Sequence, residues 1–161
     1  MSEKLIVANK GLVKADFNFW VGRFMDKFYD GLAEKKLIGN KCSKCGEVFC
    51  PPRSVCGKCN KNLPLDQNWV DLPDAGTLQN YTITHYKVTD RRTRKVKDPQ
   101  LIAMVQIDGS NTAIVSRLLN ITPEEIKVGM KVKVDWSEKT TGAPSDINGF
   151  VRVWGDIKWK K

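Results

Sequence analysis

Two C-x-x-C pairs constrain this chain more than any other feature of its sequence. Cys42 and Cys45 form the first pair, Cys56 and Cys59 form the second, and ten residues separate the two pairs. Each pair closes a tight loop that directs two sulfurs to one point. Four thiolates at tetrahedral geometry, about 2.3 Å from the ion, make a closed structural zinc site. The spacing therefore predicts zinc, or a similar metal, held by these four cysteines.

Glycines beside the cysteines favour the same interpretation. Gly46 follows the first pair and Gly57 lies inside the second. Glycine adopts positive φ without a Cβ clash, which suits a backbone whose amides turn toward thiolates. Two disulfides or four free buried thiols are the alternatives to a metal. An iron-loaded electron-transfer centre is a further alternative.

Charge and hydropathy bound the setting of the chain. A formal net charge of +9 on 161 residues attracts nucleic acid, phosphorylated cofactors or acidic protein surfaces, unless the charge is spread over an evenly solvated surface. No apolar run approaches the roughly 18 residues of a membrane span. The first ten residues lack the features of a signal peptide. We therefore expect no membrane association and a cytoplasmic location, where reduced thiols favour metal over disulfides.

An amphipathic helix is predicted between Asp16 and Gly39, with Asp16 or Asn18 as its cap. Its apolar residues recur at three- and four-residue steps. Its aromatic stripe packs either on the core of this chain or on another subunit. For the second case the candidate partner-interface residues are Phe17, Trp20, Phe24 and Phe28.

The remainder of the chain has β composition, rich in Thr, Tyr, Ile and Val. The predicted strands are residues 77–88, 101–107, 112–119, 131–136 and 150–154. A T-P-E-E sequence that begins at Thr122 predicts a short helical turn between the third and fourth strands. About five strands with that turn fit an OB-type barrel, although periodicity does not distinguish it from another small barrel.

The chain is therefore predicted to be mainly β with an N-terminal α-helix. We expect an N-terminal arm and helix over residues 1–39, a zinc ribbon over 40–66 and an OB-fold domain over 67–161. The ribbon is too short to hold a core and depends on its metal for folding.

Catalytic groups are sparse, and we expect no catalytic residue in this chain. His85 is the single histidine and lies within a predicted strand, where a structural role is the usual one. Cys50 lies between the metal pairs, and packing is its expected use because a free cysteine behaves as a small hydrophobe. A Cys50–His85 pair of nucleophile and base is the functional alternative. Phosphate-binding loops, nucleophile elbows and H-E-x-x-H motifs are absent from the sequence.

A dense run of positive charge lies between the first two long predicted strands, on an expected loop. This basic segment consists of Arg91, Arg92, Arg94, Lys95 and Lys97. Arginine binds phosphate through a bidentate fork, so the segment is a candidate for gripping coenzyme A phosphates. The alternative is a solvated hairpin tip.

Several motifs resemble a known family and occur in its order. They are the cysteine-rich run over residues 42–59 with its P-P-R at 51–53, G-T-L-Q-N-Y-T at 76–82, A-M-V-Q-I-D-G at 103–109, S-R-L at 116–118 and V-G-M-K-V-K-V at 128–134. Together they resemble the acyl-CoA-associated zinc-ribbon/OB-fold proteins, the small partner subunits of thiolase-like enzymes. Within that family the chain is most similar to the small subunits of bacterial thiolases that cleave aromatic acyl-CoA intermediates such as benzoylsuccinyl-CoA, in anaerobic aromatic degradation.

The resemblance implies a rubredoxin-like ribbon, an OB fold and a thiolase-fold partner that carries the catalytic cysteine. It implies a non-catalytic subunit of an acyltransferase complex that contains structural Zn²⁺ and shares a coenzyme A thioester ligand. The alternative is a single-stranded nucleic-acid-binding protein, with Tyr81 and Tyr86 on a strand that stacks bases. The resemblance makes nucleic acid the less expected partner.

Overall fold

The computed structural model describes residues 20–89 and 92–153, which form one α-helix, eight strands and two short 3-10 helices. In chain order the elements are α1 (Arg23–Ala33), β1 (Leu37–Lys41), β2 (Val48–Phe49), β3 (Trp69–Leu72), β4 (Ala75–Thr89), β5 (Arg92–Ile107), β6 (Ala113–Leu119), the first 3-10 helix (Pro123–Glu125), β7 (Lys131–Trp136), the second 3-10 helix (Pro144–Asp146) and β8 (Ile147–Arg152). Within this described part, no helix has the length and apolar character needed to cross a membrane.

Strands β4 to β8 close into a barrel in the order β4-β5-β6-β8-β7, and β7 pairs with β4. Neighbouring strands are antiparallel except β6 and β8, which are parallel. The first 3-10 helix lies between β6 and β7. It begins with the predicted capping box, in which the Thr122 amide donates to the Glu125 carboxylate at 3.0 Å. This topology is an OB fold, so the predicted fold class is confirmed.

Alternation along the strands fills the barrel. Ala103, Val105 and Ile107 on β5 are fully buried, as expected for every second residue of a strand that faces a core. Close approach of β4 and β5 depends on Gly76, where a Cβ atom would lie 2.5 Å from the carbonyl oxygen of Gln106. Any larger residue at this position would push the two strands apart.

The helix is shorter than the apolar periodicity indicates. It begins after Gly22, whose φ of +93° suits glycine, and it ends at Ala33. The predicted end at Gly39 is wrong, because Gly39 lies within β1. There a Cβ atom would meet the carbonyl oxygen of Phe49 at 2.8 Å. The predicted cap residues, Asp16 and Asn18, lie outside the described residues.

A Schellman motif ends the helix. The Lys35 amide donates to the Leu32 carbonyl at 2.9 Å, and the Lys36 amide donates to the Gly31 carbonyl at 2.8 Å. Lys35 has a φ of +57°, the left-handed conformation that glycine usually supplies at this position. The chain therefore turns sharply and enters β1 at Leu37, two residues after Lys35.

Asp146 orders the loop between β7 and β8, which contacts the end of α1. Its carboxylate accepts the amides of Thr141, Gly142 and Ala143 at 2.7–3.0 Å. Burial acts to raise the pKa of Asp146, but these amides outweigh it and hold the pKa below its usual value. The adjacent Thr140 hydroxyl donates to the Ala33 carbonyl at 2.6 Å, so the ordered loop satisfies the end of α1.

A small antiparallel sheet in the order β2-β1-β3 carries the ribbon. It is hydrogen-bonded to the turn between β5 and β6. Val48 and Asn111 exchange two bonds at 2.8 and 2.9 Å, and the main chain of Cys50 exchanges two with the Thr112 hydroxyl at 2.8 and 2.9 Å. Ribbon and barrel therefore share a polar seam. The division into units 1–39, 40–66 and 67–161 stays a prediction.

Candidate metal centre

The two C-x-x-C turns have the same backbone geometry. The Gly46 amide donates to the Cys42 carbonyl, and the Asn60 amide donates to the Cys56 carbonyl, both at 2.9 Å. Each donor follows the second cysteine of its pair and has a left-handed φ, +78° for Gly46 and +50° for Asn60. The expectation that Gly57 supplies positive φ is wrong. Asn60 does so instead, because asparagine tolerates this conformation.

All four sulfurs converge. The Sγ atoms of Cys42, Cys45, Cys56 and Cys59 lie within 4.8 Å of one another. Two pairs, Cys42–Cys59 and Cys45–Cys56, have their sulfurs 3.5 Å apart. A disulfide bond is about 2.05 Å long, whereas tetrahedral zinc with bonds of about 2.3 Å separates its sulfurs by about 3.8 Å. The four cysteines are therefore arranged for metal binding, and their spacing fits a four-thiolate ion better than two disulfides.

The thiols differ in acidity. A hydrogen bond from the Cys45 main chain lowers the pKa of Cys42 to about 6, while burial raises the pKa of Cys59 to about 12. Four thiolates in one cluster repel one another, so a bound cation is needed for all of them to ionise at neutral pH. Zn²⁺ would supply that charge, with all four cysteines as its ligands.

Polar bridges join the two turns across the centre. Lys58 of the second turn pairs with Glu47 at 2.8 Å, and Lys61 donates to the Ser43 hydroxyl at 3.0 Å. Both lysines are exposed, so solvent screens these contacts and they contribute little to stability. The metal, rather than the surface pairs, must hold this segment together.

The predicted aromatic interface residues have different surroundings. Phe28 is 4% exposed and belongs to the main core, and Phe24 packs against Trp69 at 5.8 Å between ring centres. Trp20 is 68% exposed, and its indole N–H donates to Asp26 at 2.5 Å. Phe17 lies outside the described residues. Within the described chain, Trp20 is therefore the exposed member of the stripe, whereas Phe28 packs internally because α1 lies on the barrel core.

Cys50 and His85 are in unlike environments. Cys50 is fully buried, belongs to the core cluster rather than to the metal centre, and has a pKa raised by burial to about 12. His85 is exposed, at a register irregularity between β4 and β5. A protonated, buried thiol is a poor nucleophile. The core position of Cys50 agrees with packing as its use.

The sequence predicted that the basic segment is a loop, but from Arg92 onward the segment is a strand. Arg92 and Arg94, Lys95 and Lys97 lie on β5, and the backbone pairs run from Thr89↔Arg92 to Tyr86↔Lys95. Both strands contain β-branched residues in this region, Thr84 and Val88 on β4 and Thr93 and Val96 on β5, and such residues suit pleated backbone. Arg91 lies outside the described residues.

Asn40 is a structural residue that the sequence argument did not single out. It is 1% exposed within β1, and its side chain accepts the Arg53 amide at 3.0 Å and donates to the Arg53 carbonyl at 2.7 Å. The Arg53 guanidinium lies over the Phe49 ring, 5.6 Å from its centre. Asn40 therefore orders the P-P-R segment. A lone asparagine at a core-facing strand position was the available signal.

Comparison with family models matches both halves of the fold. Residues 30–63 match the model described as the ChsH2 rubredoxin-like zinc ribbon domain. Residues 69–137 match the model described as the ChsH2 C-terminal OB-fold domain.

Curated relatives are similar over part of their length. A DUF35 domain-containing scaffold protein of Methanocaldococcus jannaschii is 27% identical over 97 residues, which are 60% of this chain and 64% of the relative. A probable enoyl-CoA hydratase alpha subunit of Thermomonospora curvata is 24% identical over 126 residues, 78% of this chain and 34% of the relative. The chain thus spans under two thirds of each of these two proteins.

Two solved structures share the fold. A DUF35-family protein of unknown function from Sulfolobus solfataricus is 31% identical, with a TM-score of 0.53 over 68% of this chain and 75% of that one. A chain of the Ltp2-ChsH2(DUF35) aldolase is 22% identical, with a TM-score of 0.60 over 84% and 98% respectively.

Proposed function

Because this chain belongs to the DUF35 family of ChsH2-type zinc-ribbon and OB-fold proteins, we propose that it is the non-catalytic subunit of a thiolase-type acyl-CoA acyltransferase complex. It docks on a thiolase-fold catalytic subunit and helps to structure the coenzyme A thioester site that the two share. We place the complex in the cytoplasm.

The observation that carries this proposal is the position of every thiol in the chain. Thiolase chemistry needs a nucleophilic cysteine with a nearby base and an oxyanion hole. Four of the five cysteines converge on one centre, and the fifth, Cys50, is buried with its pKa raised to about 12. All five thiols have structural surroundings, which suits a scaffold whose partner supplies the nucleophile.

Names of relatives support the acyl-CoA setting. Among the relatives described above, one is a DUF35 domain-containing scaffold protein, one is a probable enoyl-CoA hydratase alpha subunit, and one belongs to an Ltp2-ChsH2(DUF35) aldolase. These names combine coenzyme A thioester chemistry with assembly on other proteins. The benzoylsuccinyl-CoA thiolase of anaerobic aromatic degradation is the finer assignment that we propose, on the resemblance of the motifs.

Zinc has a structural role in this proposal. A centre with four protein ligands has no open position for substrate, so the ion would contribute folding energy rather than Lewis-acid chemistry. The cysteines hold it, and the adjacent turns keep the ribbon against the barrel seam.

Coenzyme A phosphates are the proposed ligands of the basic segment. Arg92 and Arg94 lie two residues apart on β5. A bidentate fork from either would suit a phosphate. The proposal extends to Arg91, Lys95 and Lys97 of the same segment.

Co-expression with a thiolase-fold subunit encoded beside this gene tests the function. We expect a stable hetero-oligomer that forms or cleaves a carbon–carbon bond in a coenzyme A-dependent reaction, and no turnover by the isolated chain. Turnover of an acyl-CoA by the purified chain alone would contradict the proposal. So would a mixture in which the two proteins elute separately.

Single-stranded nucleic-acid binding is the second candidate, since Tyr81 and Tyr86 on β4 are 36% and 64% exposed. Aromatic side chains on an OB strand can stack bases. Oligonucleotide affinity that is tight at moderate salt and falls steeply as salt rises would favour this function.

A further inference from the structure

An apolar patch lies on the outside of the barrel, where β4, β5 and β6 run side by side. Register places Asn80, Met104 and Val115 in one row across the three strands. Met104 is 45% exposed and Val115 is 62% exposed. The next row contains Ile102 and the exposed Arg117. Large aliphatic groups therefore meet solvent together, rather than singly as on most surfaces.

Two shallow grooves meet at Val115. The first, of about 170 Å³, crosses the patch between Tyr81, Met104 and Val115. The second, of about 180 Å³, runs from Val115 beneath α1 and is lined by Met25, Tyr29 and Pro51 among others. The patch therefore continues from the barrel to the helix and to the P-P-R segment, as one surface with relief that a partner's side chains can enter.

The charge of the three strands is strongly one-sided. Together β4, β5 and β6 contain six Lys and Arg residues and a single acidic residue, Asp98. The whole chain has 27 basic and 18 acidic residues. No described carboxylate forms an ion pair with Arg117, which lies beside the patch on the same face as Val115. A partner of complementary charge would carry carboxylates around an apolar segment.

We propose that this patch, centred on Met104 and Val115, is the surface that docks on the catalytic subunit, through an apolar segment of that subunit flanked by carboxylates. The inference rests on the proposed function for the identity of the partner. It adds the site of contact, which lies on the barrel and the inner edge of α1 rather than on Trp20.

A protein fits this surface better than a nucleic acid does. Non-specific single-strand binding relies on aromatic rings that stack successive bases. Tyr81 contributes a single ring to the groove on the patch, whereas Met104, Val115 and Ile102 beside it are aliphatic. Interface cores of proteins favour methionine and apolar residues, with arginine among them.

Two valines of equal exposure provide a matched test. Val115 is 62% exposed within the patch, and Val128 is 61% exposed in the turn before β7, outside both grooves. Relative to the wild-type complex, Val115→Glu should raise the dissociation constant about tenfold or more, as loss of a residue at the centre of an interface does. Val128→Glu should leave it unchanged. Circular dichroism spectra should match for the wild type and both variants.

Arg117 tests the sign of the partner's charge. We expect Arg117→Glu to weaken the complex more than Arg117→Gln, and this difference to shrink as salt rises. If the wild type assembles and the folded Val115→Glu variant binds the partner with the same affinity, the docking surface is wrong and the proposed function still stands. Failure of the wild type to assemble would instead count against the function. Val115-dependent capture of a single-stranded oligonucleotide, with no protein complex, would overturn both.

Discussion

Replacing Asn40 by alanine tests how the ribbon is held in place. Asn40 is 1% exposed, and both of its amide atoms bind the main chain of Arg53, at 2.7 and 3.0 Å. Each such bond contributes roughly 1 kcal/mol net. Asn40→Ala removes both bonds at once, so their sum sets the expected cost. Asn40→Ala should therefore lower the free energy of unfolding by about 2 kcal/mol.

Thermal denaturation followed by circular dichroism measures this loss. For a protein of about this size, 2 kcal/mol corresponds to a fall in Tm of about 4–8 °C. Bound zinc should remain, because Asn40 is not a ligand. Asn62 is an exposed asparagine of the ribbon, and Asn62→Ala is the control that should leave Tm unchanged. An Asn40→Ala protein that melts with the wild type would refute the reasoning that the buried amide orders the P-P-R segment.

Three further perturbations address the metal, the acid limit and the basic segment. Cys42→Ser should lose zinc in a metal assay and Cys50→Ser should keep it, because Cys42 belongs to the cluster of four sulfurs and Cys50 does not. The reverse result would contradict the ligand set. Asp146 has a lowered pKa, so its contribution to stability is full above the unfolded value of about 3.9 and is lost as pH falls through the folded value; Asp146→Asn should flatten the acid limb of an unfolding curve. Alanine at the three arginines of the basic segment should weaken coenzyme A or partner binding most at low salt, since exposed charges are screened over about 8–10 Å at physiological ionic strength, and equal affinity at low salt would leave the segment as solvated surface.

The spacing of the two C-x-x-C pairs and the composition of the strands made most of the fold predictable. Two C-x-x-C pairs dictate a local turn geometry whatever lies around them, and the sulfurs of Cys42 and Cys59 do approach to 3.5 Å. Each barrel strand likewise carries its own β-branched residues. Signals of this kind are local, so a single sequence is enough to detect them.

The errors arose where a residue adopts a role usual for another type. Lys35 has a left-handed conformation at the end of the helix, where the sequence favoured Gly39, and Asn60 has the positive φ that was expected of Gly57. The end of the helix and the positive-φ residue of the second C-x-x-C turn were therefore predicted at the wrong positions. The strand character of the basic segment was hidden because dense charge suggested a loop, although Thr89 and Thr93 favour pairing. Asn40 escaped notice because its partner, Arg53, is close only after the ribbon folds.

The seam between ribbon and barrel explains why a scaffold subunit, as we propose this chain to be, would need a metal. Cys50 lies between the two cysteine pairs, and its main chain is bonded in both directions to Thr112, at the start of the segment that becomes β6. Pro51 follows at once and lines the groove that ends at Val115. The position of that groove wall is thus set at one end by the metal-bound turns and at the other by the barrel. A ribbon that unfolds without its ion would withdraw Pro51 from the groove while leaving Val115 on its strand. In our proposal the metal therefore acts on docking through the shape of this groove, at a distance from any thiolate.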